Sequence, residues 1–582
     1  MKTDRRYVYG FTIILIFWQL LLSFQGLDLA DTGFHLTAFR FILEDPYSVQ
    51  YSMVFWLSDI LGAAWMNIFP AGGLFWCRLG TVVFFTLTFL IYHRIIKQET
   101  GFRGAVLGLF IIAVFIIKGG FECLNYDVLT MFGYSLVILS FYFGLTQRRS
   151  ILLFAGGMAI GISMFLRLTN FAGLFLLLVI PCYLSIQKAG MAKNFRQTLF
   201  ALSGFITGTA LILGLMVALG HRDLFFNNLN FIFNVASDHE ASHGIVPLII
   251  MYVKGFINAL IVLLLFLVAI WIYGKITTRS GINSRPLVRL VLPLVLAFCA
   301  FILMLVFGNA FWSKIRYLLI GLVLLSGIQY VTDRSRTAGF RMLAFAGLIL
   351  FFITPFGSDS WLGKSVFGMW ILVPLLLAGE DLRTLFKPVR IELSEQDRRM
   401  IFRTLRGMII VTALVHAWQN TYFDAGSRWL KNVPVAHEKL VCIYTSEERA
   451  KAINELVREA FPMIDETYLL SFIEIPMINY LADKPPYIST SWPKLYYNAD
   501  TFSDKLAEAK SLRDSLPAVI RQKQNTGLAE WPADAAADRY LDYPDDLSKW
   551  PEHGRILNDF MHRHGYEVAW ENNMFQLLVP PA

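Results

Sequence analysis

The chain has 582 residues, 56% of them hydrophobic and 16% charged, with 50 Phe and 14 Trp. A water-soluble protein could hide so much apolar surface only in an implausibly large core, so the composition belongs in lipid. The formal net charge of +8 would point to nucleic acid in a soluble chain, but here Lys and Arg sit in short loops between apolar segments, where the positive-inside rule explains them and no nucleic-acid partner is expected.

A helix that crosses a bilayer needs about 20 apolar residues, because its backbone polar groups must be satisfied within the segment. In chain order, Met1 to Arg6 is followed by an apolar run from Phe11 to Phe24 with no small-residue cleavage site, which reads as an uncleaved first span. Further spans are predicted near 73–93, 104–118, 127–146, 151–167, 171–187, 197–219, 247–273, 289–307, 314–331, 341–354, 365–379 and 404–422, about thirteen with the first at 8–26. Parity supports this count. Arg5/Arg6, Arg94/Lys97/Arg103, Arg148/Arg149, Lys188/Lys193/Arg196, Lys275 to Arg289, Arg334/Arg336/Arg341 and the run Arg383 to Arg406 then all fall on one side, the cytoplasmic one.

Residues 51–69 are apolar enough to span, but crossing would bring Asp28, Asp31 and the basic Arg94–Arg103 loop to the same face. They read instead as a re-entrant or interfacial helix, with Asp59, Trp56 and Trp65 at headgroup level. The other face then holds a first loop (27–72), short loops near Glu122–Tyr126, Asn309 and Ser358, a loop at 220–246, and the tail. From about residue 423 charges and prolines rise to soluble frequencies. The expected organisation is a transmembrane part at 1–422 and an extracytoplasmic α/β domain at 423–582. Within the tail, "KLVCIYTS" followed by "EERAKAINELVREAF" reads as strand then helix, with Thr445 or Ser446 as N-cap, and "YEVAWENNMFQLLV" reads as a hairpin. The fold class is thus a polytopic α-helical membrane protein with a C-terminal soluble α/β domain. Cys77, Cys182 and Cys299 lie in apolar segments, Cys123 and Cys442 in polar ones, and no disulfide framework is visible.

The outer face carries the candidate chemistry. The first loop opens with Asp28, Asp31 and His35, and Asp127 stands in "LNYD" at the outer end of the fourth span. Either Asp31 or Asp127 is also an ordinary helix N-cap candidate. Arg167 ends the fifth span, while Lys314 and Arg316, with Tyr317 beside them, open the tenth. Any one of these cations can simply snorkel to headgroups. Together, on a face depleted of cations, they point to a held anion, and a lipid phosphate is the available one. A sugar leaving phosphate as an oxocarbenium-like species needs cations or a metal on the departing phosphate and a carboxylate to take the acceptor's proton. Asp31 is the candidate base; Arg167, Lys314 and Arg316 are the candidate phosphate partners. If Asp31 and Asp127 hold a divalent metal, hard oxygen ligands favour Mg, Mn or Ca.

"DTGFHL" after the first span, the interfacial helix, "LNYD", "LRLTN", "IRYLL" and the terminal outer domain together resemble the GT-C superfamily, with protein O-mannosyltransferases, lipid A aminoarabinose transferases and the RgtA/B/C/D-like group as nearest relatives. The resemblance covers most of residues 1–330 as pattern. It implies that Asp31 is the catalytic or metal-linked carboxylate, that Asp127 is the second acidic site, and that the enzyme is an inverting glycosyltransferase with a polyprenyl-phosphate sugar donor and a glycan, lipid or protein acceptor. The chain departs from the aminoarabinose transferases at Thr32, where they carry an acidic residue, and at "EDPYSVQYS", which replaces their Lys-Pro-Pro segment.

His239-Glu240-Ala-Ser-His243 matches the H-E-x-x-H zinc motif, but Gly244 to Tyr273 supplies no His, Asp, Glu or Cys as a third ligand. These residues read rather as a polar loop or as lining for a glycosyl site. A membrane metalloprotease and a lipid-linked glycan transporter or flippase are the alternatives; the latter needs ionisable groups at the bilayer midplane, whereas the charges here keep to span ends. His416 and Gln419 read as helix-facing residues, and the aromatic cluster Trp492 to Tyr497 as the core of a small domain. No N-x-S/T sequon occurs, which suits the inner membrane of a bacterium.

Overall fold

The computed structural model describes residues 2–117, 123–237, 245–280, 286–356, 361–378, 394–493, 497–523, 531 and 550–581. The predicted spans emerge as helices α1 (Lys2–Ser23), α4 (Gly73–Thr100), α5 (Phe102–Ile117), α6 (Tyr126–Thr146), α7 (Ser150–Ser163), α8 (Val179–Ile186, led in by a 3-10 stretch Leu168–Leu178), α9 (Met191–Ala218), α11 (Ile245–Ser280), α12 (Pro286–Phe307), α13 (Asn309–Thr332), α14 (Ala338–Ile353), α15 (Val366–Ala378) and α16 (Glu395–Gln419). Among the described residues eight helices are long and apolar enough to cross a membrane, and five shorter apolar helices accompany them. Each predicted span coincides with one of the thirteen, which makes the chain a polytopic integral membrane protein. Three further helices lie outside these spans: α2 (Asp31–Phe41) and α3 (Trp56–Ile68) in the first loop, and α10 (Arg222–Ser237) after α9.

Apolar chains gain little by packing against one another in lipid, so helix contacts there rely on close approach of small residues. The α7–α9 seam follows this rule, since a Cβ on Gly157 would lie 1.8 Å from the Ala201 carbonyl oxygen and one on Gly204 2.1 Å from that of Phe154. All five cysteines are free thiols. His416 stacks flat on Trp312, with centroids 4.4 Å apart, as a packing residue.

The tail contains β1 (Val433–Pro434), β2 (Tyr444–Thr445), β3 (Leu469–Phe472), β4 (Ala518–Gln522), β5 (Glu567–Glu571) and β6 (Phe575–Val579), with helices α17 (Glu447–Glu455), α18 (Met477–Leu481), α19 (Ala499–Leu512) and α20 (Trp550–Arg563). Strands β3, β4, β6 and β5 form one sheet in that order, β3 parallel to β4 and the other pairs antiparallel; β5–β6 is the predicted hairpin. The strand expected from "KLVCIYTS" shrinks to Tyr444–Thr445. Ser446 takes the N-cap position of α17 without a side-chain cap bond, while the Thr445 hydroxyl donates instead to Asp424.

This tail is fastened to the first loop. The Gly26 amide donates to Tyr444 O and the Tyr444 amide to Phe24 O, each within 2.9 Å; the Met477 amide donates to Leu29 O at 3.0 Å. A Cβ on Gly33 would sit 2.1 Å from the Met477 nitrogen, so α2 and α18 meet backbone to backbone. Asp424, wholly buried, accepts from the Leu27 amide at 2.7 Å, from Lys431 Nζ at 2.7 Å, and lies 3.3 Å from Arg449 Nε. Burial alone would raise the Asp424 pKa, but the charges of Arg449 and Lys431 hold it below the ordinary carboxylate value. Arg449 donates in turn to Leu27 O at 2.9 Å. A buried carboxylate with two cations persists only with such complete hydrogen bonding.

Candidate active site

Asp31 and Asp127 both open helices, yet neighbouring residues satisfy the helix ends. Asp28 accepts from the Ala30 and Thr32 amides at 2.7 Å each, and Asn125 Oδ1 accepts from the Asp127 and Val128 amides at 3.1 and 3.2 Å. The simple N-cap reading of Asp31 and Asp127 is therefore corrected: Asp28 and Asn125 do that work. Asp31 receives a hydrogen bond from the Tyr422 hydroxyl, just beyond α16. Asp28 is buried, and burial, with the Asp31 charge beside it, pushes its pKa up to about 7.

Asp127 is ion-paired to two cations. Lys364, in the short 3-10 turn Trp361–Ser365 before α15, contacts its Oδ2, and Arg167 Nη1 lies 3.8 Å from its Oδ1. Arg167 is itself in extended backbone between α7 and the 3-10 stretch, which releases its side chain from the helix rows. Tyr126 forms the centre of the group. Its ring stacks on Phe55 at 4.2 Å and 9°, meets His35 edge-on at 5.3 Å, and lies 5.2 and 5.7 Å from the Arg167 and Lys364 cations. His35, one turn along α2 from Asp31, is what meets this ring, and Asp127 follows Tyr126 on α6, so the starts of the two helices that carry the carboxylates converge there. Two cations facing one carboxylate leave a positive rim beside Asp31, suited to an anionic group.

His35 lies beneath this rim. Burial lowers its pKa to about 4, so it is neutral at pH 7. Its Nδ1 is 4.0 Å from Asp59 Oδ1. Asp59 was expected at headgroup level; it is instead completely buried, because α3 turns this face toward α2, and burial raises its pKa well above the carboxylate range. The contact sets a buried carboxyl against a buried imidazole, and burial disfavours the charged form of both.

Lys314 is exposed and Arg316 lies 5.6 Å over the ring of Tyr317; among the described residues neither forms an ion pair with Asp31 or Asp127. His239, Glu240 and His243 lie outside the described residues. Lys364, Tyr126 and Tyr422 escape the sequence reading, which names Asp59 only as an interfacial residue. Only Lys364 carries a signal there, as one more cation at a span end on the cation-poor face. For a divalent cation, Asp127 is already neutralised by Lys364 and Arg167, and the described residues contain no group of three or more His, Cys, Asp or Glu placed to hold a metal. The donor set does not fit Mg, Mn or Ca as it stands.

Comparison with family models and with curated proteins finds no match. Solved structures similar to this chain include ArnT from Cupriavidus metallidurans bound to undecaprenyl phosphate (10% identity, 98% of this chain and 97% of that chain, TM-score 0.47) and the same protein in the apo state (10% identity, 98% of each, TM-score 0.49). The archaeal oligosaccharyltransferase AglB from Archaeoglobus fulgidus, in complex with an inhibitory peptide and a dolichol-phosphate, is similar at 13% identity over 88% of this chain and 69% of that chain, with a TM-score of 0.45.

Proposed function

We propose that the chain is an inverting membrane glycosyltransferase that takes a sugar from a polyprenyl-phosphate donor and passes it to an acceptor on the non-cytoplasmic face. The observation that carries the reading is the meeting, at the single ring of Tyr126, of the Arg167 and Lys364 cations with His35 of α2, the helix that Asp31 opens. The donor's phosphate sits against Arg167 and Lys364, which take up charge as the sugar C1–O bond breaks. Asp31, oriented by the Tyr422 hydroxyl, accepts the proton of the acceptor hydroxyl as its oxygen bonds to C1 from the opposite face, and polyprenyl phosphate departs. Lys364 takes the phosphate-binding role first given to Lys314 and Arg316, which serve the carrier's approach from the lipid. No step is routed through a metal. The first 422 residues form the transferase domain, the tail is periplasmic, and the N-terminus is cytoplasmic in a bacterial inner membrane.

The test is to incubate membranes carrying the wild type or Asp31→Asn with labelled polyprenyl-phosphate sugars. The variant folds and transfers no label. Transfer at the wild-type rate by Asp31→Asn ends the proposal.

A further inference from the structure

Between the first loop, α10 and the tail lies a cleft of about 230 Å³ that the donor chemistry does not use. Its first-loop wall is Tyr47, Gln50 and Tyr51, from the segment "EDPYSVQYS" in which the chain departs from its relatives. Asn227 and Asn228 face them from α10, and the tail supplies Tyr497, Lys505 and Glu508.

Two short stretches of backbone join this cleft to Tyr126 and to α2. The 3-10 helix Gln50–Phe55 carries Tyr51 in the cleft and Phe55 stacked on Tyr126; its four-residue separation spans about 8 Å at roughly 2 Å per residue. Ser489 lines the cleft, and Trp492, three residues on and so at most about 10 Å away, packs 6.4 Å from Phe34 on α2. Both separations are of the order that two linked sugar rings span.

The lining is specific in kind. The Tyr51 and Tyr497 rings meet edge-on at 6.4 Å, and such rings accept the C–H face of a pyranose. Gln50, Asn227 and Asn228 are amides; Gln50 donates to Leu224 O at 3.3 Å and Asn228 to Tyr51 O at 3.2 Å, which fixes both, and each amide has a second N–H and a carbonyl oxygen of the kind vicinal hydroxyls require. Lys505 and Glu508 neutralise each other at 2.6 Å, and the Tyr47 hydroxyl donates to Glu508 at 2.9 Å, so the cleft offers no net charge to a phosphate. We propose that this cleft is a subsite for the saccharide portion of the acceptor, an inference that rests on the glycosyltransferase reading and commits it to a glycan-bearing acceptor.

The experiment uses purified full-length protein in detergent and saturation-transfer NMR with a panel of neutral disaccharides: maltose, cellobiose, lactose and chitobiose. At least one of them receives saturation from the wild type and equally from Asp31→Asn, and its signal falls at least fivefold in Asn227→Ala/Lys505→Gln, a pair chosen at partly exposed positions, whose thermal midpoint stays at the wild-type value. Undecaprenyl phosphate, followed by tryptophan quenching in the same samples, binds the cleft variant as it binds the wild type. Absence of any disaccharide signal, a signal that the cleft substitutions leave intact, or its displacement by short peptides and not by sugars overturns the inference. If instead undecaprenyl phosphate fails to bind the wild type while the disaccharide signal remains sensitive to the cleft substitutions, the donor reading fails and the saccharide site stands.

Discussion

Asp31 and Asp127 occupy first turns whose amides are satisfied by Asp28 and Asn125, and each carboxylate is turned to a partner of its own. Removing the base while keeping its shape, Asp31→Asn, lowers the transfer rate by about 10²- to 10⁴-fold, the span of general-base contributions, in a single-turnover assay with labelled donor. Replacing Lys364 or Arg167 with Gln removes one charge-assisted contact, which contributes about 1.5–3 kcal/mol; undecaprenyl phosphate affinity measured by fluorescence quenching then falls about tenfold or more for each. Protonation gives a separate check. Asp28 has its folded pKa raised from 3.8 to about 7, so the unfolded chain ionises first and stability declines as pH rises across that window. His35, lowered from 6.5 to about 4, acts in the opposite sense: its share of stability is complete above pH 6.5 and is lost as pH falls toward 4. The two slopes oppose each other in the wild type. Asp28→Asn removes one falling slope and leaves those of His35 and Asp59, so between pH 4 and pH 6.5 the melting temperature in detergent shifts upward relative to its change in the wild type.

Elements explain which of these features the sequence could disclose. The spans are legible because length and apolar content suffice to define them, and the β5–β6 hairpin because alternation brackets a turn. Asp59 is misplaced by the same logic: a carboxylate in an amphipathic surface helix belongs outside, and only the packing of α3 on α2 turns it inward to His35. Lys364 opens a predicted span, where a cation ordinarily snorkels; nothing local says that it folds back onto Asp127, more than two hundred residues earlier. The joint between first loop and tail is likewise invisible before folding, since Asp424 and Gly33 lie in unremarkable contexts. Asp424→Asn leaves Lys431 and Arg449 buried with their charge uncompensated and destabilises by about 3–5 kcal/mol, read as a lowered thermal midpoint. Gly33→Ala forces α18 away from α2, so trypsin cuts the tail sooner while the membrane helices stay intact.

At the scale of the molecule, the residues of the site come from α2, from the starts of α6 and α15 and from just beyond α7 and α16, while Glu99 bonds Tyr142 and Thr337 at the opposite ends of α4, α6 and α14. This arrangement predicts that exposed Cys442 shares the compartment of the first loop. A membrane-impermeant maleimide added to spheroplasts labels it, and Cys442→Ser abolishes the labelling; modification only after lysis would invert the topology. The fastening of Gly26 and Leu29 to Tyr444 and Met477 also sets an order of events during biosynthesis. The loop bearing Asp31 is made before the Tyr422 hydroxyl, 391 residues later, and before its anchors Tyr444 and Met477. A polypeptide released just after α16 therefore holds all thirteen of the described apolar helices and still lacks the tail groups that fasten the loop bearing Asp31.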